Sequence, residues 1–329
     1  MKENAKASWV THPWVAQGQQ RIRFGILQSF IPYRDWSQHR DWVQVVEGLG
    51  FDSYWVSDHT ISYPDCWTTL SMLATSTKII RLGSLVSCIY YRSPALLARV
   101  AADVDHLSNG RLVLGIGIGD WPDEFAQLGI PVPSIRERQQ ALEETVQIVR
   151  GLWREASFTY RGKYFAVDQA SFRLGPIQQP HVPILIAGGG ERVTLRQVVD
   201  YADVSNFGAH VMMGSAFGLD DVVRKFEVLR THCLAVGRPY TSVLRSHLTL
   251  PLVLAETPEA LQTKLDAVPK GWRTVLQSST LAATPSEVIA QYQALVDAGV
   301  QYFRVGIIRH DLGTLQMLAQ HVMPALTKT

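Results

Sequence analysis

The stretch 79–119, IIRLGSLVSCIYYRSPALLARVAADVDHLSNGRLVLGIGIG, constrains the fold of this chain most. It opens on an apolar run, IIRLGSLVSCI, which is rich in β-branched residues and interrupted by Gly83. Such a run suits a strand buried on both faces. Ser93 and Pro94 are the residue types of a helix N-cap and first turn. Leu96, Leu97, Val100, Ala101 and Val104 form an apolar stripe, and Asn109-Gly110 supplies a left-handed stop. A second buried strand, RLVLGIGIG, follows at once. Strand, helix and strand in this order predict a parallel pair joined by a right-handed crossover.

The remainder of the chain repeats that unit. Strands are expected at 22–28, 51–56, 79–89, 111–119, 183–187, 203–206, 248–254 and 301–307. Helical stretches are expected between them, with a polar loop over 119–134 and a long helix over 134–153. FTYRGKYFAV reads as a small hairpin turning at Arg161-Gly162. Eight strand-then-helix units predict an α/β fold of the (β/α)8 TIM-barrel class with loop insertions. A doubly wound open sheet is the alternative. Residues 1–20 read as an N-terminal extension and 21–329 as a single barrel domain. Trp9 and Trp14 either pack onto the body or belong to a free leader.

Composition removes several function classes. With 47% hydrophobic and 18% charged residues, the 329-residue chain is ordered and globular. A net charge of +2 gives no general nucleic-acid footprint. Cys66, Cys88 and Cys233 show no paired zinc spacing, and an odd count argues against a disulfide scaffold. His106, His181, His210, His232 and His247 show no metal-ligand spacing, so no metal is expected. No run of about eighteen apolar residues exists to span a membrane, and the first residues hold no continuous apolar segment. A cytoplasmic protein acting on a small molecule is expected.

In a barrel of this class the site lies at the carboxyl ends of the strands. That rule selects Asp58 and His59, then Cys88-Ile89-Tyr90-Tyr91, then Gly119-Asp120-Trp121. It also selects Gly188-Gly189-Gly190 and Asn206, with Arg304 and Arg309 flanking the last strand. An imidazole beside a carboxylate is the best acid–base candidate. The alternative is that Asp58 caps a turn and His59 only packs. Bare amides in the triple glycine suit a phosphate, although a ligand-free tight turn has the same composition. Gly115-Ile116-Gly117-Ile118-Gly119 has the wrong spacing for a dinucleotide fingerprint, and its glycines instead thin the barrel wall. Cys88 reads as a small buried residue rather than a nucleophile. Arg136–Arg138 reads as a solvated face. Trp121, Phe125, Phe207, Met212, Met213 and Trp272 suggest an apolar pocket.

These stretches resemble a known group. GFDSYWVSDH (50–59), 82–119, LGIPVPSIRERQQALEETVQIVRGLW (128–153), PILIAGGGERVTLRQVVDYADVSN (183–206), KFEVLRTHCLAVGR (225–238) and TPSEVIAQYQALVDAGVQYF (284–303) are similar to the bacterial luciferase-like superfamily. Within it they resemble the class of oxidoreductases dependent on the deazaflavin coenzyme F420. The resemblance implies a cofactor ring in the barrel mouth and a non-proline cis peptide at Cys88-Ile89 behind it. It implies that Asp58 lies near the ring, that His59 lies beside the reacting carbon, and that Ala187, Gly188, Gly189 and Gly190 hold the phosphate tail. Asp120 stands where relatives often carry tryptophan, and Tyr63 stands where some carry it too. Cys88, Ile89, Gly119 and Asn206 complete the expected cofactor contacts, with Asp58, His59 and Asp120 as the catalytic set. Hydride transfer at deazaflavin C5 is the implied chemistry. FMN-dependent monooxygenation is the alternative, and a non-catalytic flavin-binding barrel is a third reading. Relatives are commonly homodimers, so a homodimer is expected.

Overall fold

A computed structural model of the chain describes residues 9–29, 35–208, 218–268, 270 and 279–326. In chain order the elements begin with α1 Pro13–Gly18, β1 Arg23–Leu27, α2 Trp36–Gly48, β2 Ser53–Val56, α3 Cys66–Ser76, β3 Arg81–Ser84 and β4 Ser87–Cys88. Next come α4 Pro94–Leu107, β5 Leu112–Gly117, α5 Pro122–Gln127, α6 Ile135–Arg154, β6 Phe158–Arg161 and β7 Ala166–Ala170. The second half holds β8 Ile184–Ala187, α7 Thr194–Tyr201, β9 Val204–Gly208, α8 Leu219–Val236, β10 Leu244–Leu254 and α9 Pro258–Asp266. It continues with β11 Leu281–Ala283, α10 Pro285–Asp297, β12 Tyr302–Ile307 and α11 Leu312–Met317, after which helical turns run on over Leu318–Val322 and Met323–Ala325.

Eight parallel strands close on themselves in the order β1, β2, β3–β4, β5, β8, β9, β10 and β12. The fold is therefore the (β/α)8 barrel, and the open-sheet alternative falls. β11 adds to β10 outside the ring, and β6–β7 is the expected hairpin. Caps start the helices as their residue types require. Asp35, Asp65 and Ser93 accept backbone amides at the starts of α2, α3 and α4, and Ser134–Glu137 forms a capping box for α6. Asn109 (φ 55°) and Gly110 (φ 77°) end α4 in the left-handed region, as their sequence suggests.

Several boundaries differ from expectation. The 79–89 run is not one strand. It breaks at a cis Leu85-Val86 peptide, so the cis bond expected at Cys88-Ile89 lies three residues earlier. The chain enters the barrel at that break because β5 offers glycine across from it. A Cβ on Gly115 would stand 2.0 Å from the Ser84 carbonyl oxygen, and one on Gly117 2.6 Å from Val86 Cγ2. The seventh barrel strand starts at Leu244 rather than 248, and its register shifts between Thr249 and Leu252. The helix after the triple glycine starts at Thr194 rather than at 191. The loop 119–134 contains α5, whose Pro122, Asp123 and Glu124 are first-turn residue types.

Two apolar layers follow from strand alternation. Outward side chains such as Ile26, Tyr54, Leu114 and Phe303 meet the helices, while Leu27, Trp55, Leu85, Leu248 and Tyr302 fill the barrel. Trp14 on α1 joins the inner cluster and is 1% exposed. Its carbonyl accepts Arg23 Nη2 at 2.8 Å, and its ring meets Tyr302 edge-on at 5.9 Å. The His12 Nδ1 atom accepts the Trp14 amide at 3.1 Å and so starts α1. Trp14→Ala removes a large buried side chain from this plug. It is expected to lower stability by about 3 kcal/mol or more, read from the urea midpoint. A change under about 0.5 kcal/mol would mean that the plug does not bear on the barrel.

Candidate active site

Asp58 and His59 follow β2 directly, at the carboxyl end of the barrel. Asp58 is buried. Its Oδ2 accepts Ser87 Oγ at 2.9 Å, the Cys88 amide at 3.3 Å and Arg92 Nη1 at 3.1 Å. Arg92 continues to Asp65, the N-cap of α3. Burial raises the Asp58 carboxyl above its ordinary value, against the opposing Arg92, Ser87 and Cys88 donors.

His59 turns the other way. Its Nδ1 lies 2.9 Å from Glu124 Oε2, and Glu124 Oε1 accepts the Ile61 amide at 3.0 Å. Tyr91 also bonds Glu124. Burial lowers the His59 pKa, but the Glu124 hydrogen bond and the Asp120, Glu124 and Asp58 charges outweigh it, so the net shift is upward. Burial raises Glu124, but His59, the Ile61 amide and Tyr91 pull it below its ordinary value. Trp121 lies beside the imidazole with ring centres 4.4 Å apart, and Tyr63 lies at 6.4 Å.

These groups border a cavity that opens to solvent and holds about 660 Å3 with the open space at its mouth included. Asp58, His59, Cys88, Tyr91, Gly119, Asp120, Ala187 and Gly188 line it, with Leu85, Val86, Gly117 and Ile118. Most of the expected site therefore converges. Ile89 does not line the cavity; it is fully buried in the outer core. Gly189 and Gly190 stand just behind Gly188, and Lys225 Nζ donates to the Gly189 carbonyl at 2.7 Å. Asn206 is buried below the mouth, where Ser246 Oγ and Arg304 Nη1 donate to its Oδ1. Gly115 and Gly117 of β5 make room for the Ser84 carbonyl and for Val86 on the neighbouring segment, and Gly117 and Gly119 line the cavity.

Among the described residues the expected apolar pocket is only partly present. Phe207 points outward onto Phe226, because it has the outward register of β9. Phe125 is buried behind Gly119, against Tyr90 and Tyr91. Met212, Met213, His210 and Trp272 lie outside the described residues. The Arg136–Arg138 face is not uniformly solvated, since Arg138 is buried and donates to the Gly119 carbonyl. Burial pushes the Cys88 thiol up to about 12, so it is no nucleophile. Sequence reasoning passed over Glu124, Arg92 and Ser87. The Trp-Pro-Asp-Glu start of α5 was a usable signal for Glu124. Nothing in the sequence marked Arg92.

The residues fit a flat ring with an anionic tail. The floor is apolar at Leu85, Val86 and Ala187, and the amides of Gly189 and Gly190 donate to no described residue. The His59–Glu124 pair has a defined pH window. His59's raised value gives stability that is complete below about 6.5 and lost as pH rises through its folded value. Glu124's lowered value gives stability present above about 4.5 and lost as pH falls through its folded value. Glu124→Gln is expected to lower the His59 pKa by about one unit, read by imidazole NMR titration. An unchanged titration would show that Glu124 only positions the ring.

Comparison with known proteins agrees with this geometry. Over 322 residues the chain is 28% identical to an F420-dependent glucose-6-phosphate dehydrogenase of Amycolatopsis mediterranei (strain U-32), covering 85% of this chain and 91% of that protein. The coenzyme F420-dependent tetrahydromethanopterin reductase of Methanopyrus kandleri shares the fold, with a TM-score of 0.77 at 19% identity over 93% of this chain and all of that one. So does the FMN-bound oxygenating component of 3,6-diketocamphane monooxygenase from Pseudomonas putida, with a TM-score of 0.74 at 19% identity over 94% of this chain and all of that one. The family model for luciferase-like monooxygenases matches residues 8–274, and the chain belongs to that family.

Proposed function

We propose that this protein is an F420-dependent oxidoreductase that moves a hydride between a small organic substrate and the deazaflavin ring. The observation that carries the reading is His59 on the cavity wall, with Nδ1 held by a buried carboxylate. That bond leaves Nε2 as the nitrogen available for the substrate proton. When bound, the cofactor supplies the hydride-accepting carbon. The chain's own residues orient and shield the reaction. Leu85, Val86 and Ala187 back the ring, Gly188–Gly190 receive the phosphate tail, and Asp120 with Trp121 meets the substrate at the mouth. Asp58 holds the strand ends in place from behind.

The name of the Amycolatopsis relative supports this reading over about 85% of the chain. The FMN complex among the similar structures supports a second one, a reduced-flavin monooxygenase on the same barrel. The reading includes a single barrel domain over 21–329, a homodimer and a cytoplasmic location. Light scattering tests the assembly. Exposed apolar side chains such as Ile79 and Leu96 are compatible with a partner face.

Titration of the purified protein with oxidised deazaflavin and with FMN, followed by fluorescence quenching, decides between the readings. Tight binding of deazaflavin with weak binding of FMN is expected. His59→Ala is expected to keep that affinity within about threefold and to slow hydride transfer by a factor of about 100 or more. The reverse preference moves the protein to the oxygen-using branch, and binding of neither ring overturns both.

A further inference from the structure

The barrel axis carries a charge that the site above does not use. Arg304 on β12 is fully buried. Its guanidinium carbon lies 4.1 Å from the centre of the Trp55 ring and 4.6 Å from that of Tyr302. Nη1 donates to Asn206 Oδ1 at 3.3 Å, while Nε and Nη2 have no hydrogen-bond partner among the described residues. Among those residues no carboxylate forms an ion pair with it. Asp52, whose charge acts on Arg304 from beyond contact distance, is taken up by Arg23 at 3.5 Å and by the Tyr302 hydroxyl at 2.5 Å. Outside the described residues the chain has one acidic side chain, Glu3. Burial pushes Arg304 down to about 9, so the charge persists at neutral pH.

A buried cation without a counter-ion is costly, and two aromatic faces recover only part of that cost. A packed aliphatic side chain would fill the same space without it. The position of the charge suggests why it is there. Arg304 is in register with Gly25 and Leu248, and the next inward position toward the mouth is Gly306. Strand rise puts that step at roughly 7 Å. Leu250 occupies the place a Gly306 side chain would take, since a Cβ there would stand 2.1 Å from Leu250 Cδ1. Leu27, Leu85 and Leu250 share one inner cluster with Trp55 and Tyr302, and Leu85 lines the cavity. One layer of leucine thus separates the guanidinium from the site. Asn206 links them a second way: its carbonyl accepts the Gly188 amide at 2.8 Å, and Gly188 lines the cavity.

We propose that Arg304 is a fixed positive charge beneath the mouth that favours the negative charge a bound ring gains on accepting hydride. The inference rests on the reading that a deazaflavin or flavin ring occupies the cavity. In the oxidation of an alcohol the substrate C–H bond breaks and its two electrons form the new C–H bond at deazaflavin C5. The hydroxyl proton passes to His59, and the ring becomes more negative by one charge. Arg304 touches none of these atoms; it acts through its field across the leucine layer, where water cannot screen it.

The test separates the two redox states. Arg304→Met and Arg304→Lys are made in the full chain, and oxidised and reduced deazaflavin are titrated anaerobically by fluorescence and absorbance. A unit charge about 10 Å away in a medium of intermediate dielectric changes an equilibrium by roughly tenfold. The methionine variant is therefore expected to lose about tenfold more affinity for the reduced ring than for the oxidised one. The lysine variant is expected to keep the wild-type ratio within about threefold. Equal losses for both states would make Arg304 a packing residue only. If the methionine variant does not fold, the wild-type protein still decides: its bound reduced ring should take up a proton at lower pH than the free ring, and no lowering overturns the proposal. If the wild type binds neither deazaflavin nor FMN, the ring reading fails first and this inference falls with it.

Discussion

The Asp58 carboxylate ties together parts of the mouth that the strand ladder leaves separate. β3 ends at Ser84 and the chain resumes pairing only at Ser87–Cys88. Asp58 accepts the Ser87 hydroxyl and the Cys88 amide, so the resumed strand is held to the end of β2 by one buried charge. Arg92 carries the connection to Asp65 and thereby to the start of α3. A buried carboxylate is expensive unless its oxygens are taken up by donors, and three groups from one segment supply them here. With Asp58 committed to that side, the next residue, His59, faces Glu124 and the cavity. The orientation of the imidazole is thus a consequence of where its neighbour's charge is satisfied.

Burial acts on both carboxylates but reaches opposite results. Asp58 is raised despite Arg92, whereas Glu124 is lowered because His59, the Ile61 amide and Tyr91 all favour its charged form. Environments that push two acids apart mark acid–base assignments in enzymes generally. Here Glu124 is the charged partner that keeps His59 basic, and Asp58 is the structural anchor. Cys88 lies within the same set, and burial pushes its thiol up to about 12, which keeps it in the thiol form. In that form it packs at the mouth beside Asp58.

Much of the barrel was legible because its signals are local. Apolar runs of strand length, a Ser-Pro helix start and an Asn-Gly stop each state a backbone conformation within a few residues. Asp58, His59 and Gly188 were found because one rule places function at the carboxyl ends of strands, and Ala187 came only with the family resemblance. What escaped depended on partners distant in sequence. Glu124 lies 65 positions from His59, and it was hidden in a stretch read as loop although Pro122 opened a helix. Arg92 has no periodic or motif signature, since its role exists only where two aspartates from another segment come near it. Phe207 was misplaced for a different reason. A one-residue change of register moves a strand side chain from the interior to the helix layer, and a short apolar strand does not announce its register.

The barrel interior itself is ordered from one end to the other. At the amino end Trp14 from α1 closes the floor over Arg23, Asp52 and Tyr302, whose polar atoms pair with one another. In the middle, Trp55, Ser246, Asn206 and Arg304 form a second polar layer that no solvent reaches. Leucines at 27, 85 and 250 cover that layer beneath the cavity. The order has a physical reason. Polar groups below the cover have only one another for partners, so they hold a fixed arrangement instead of rotating toward a ligand. Among the described residues this cover stands between the cavity and the polar layer. A reacting centre shielded on one side and filled by substrate on the other is a low-dielectric place in which fixed charges act at close to full strength. The same burial that makes Arg304 costly to the fold therefore makes it effective at the site.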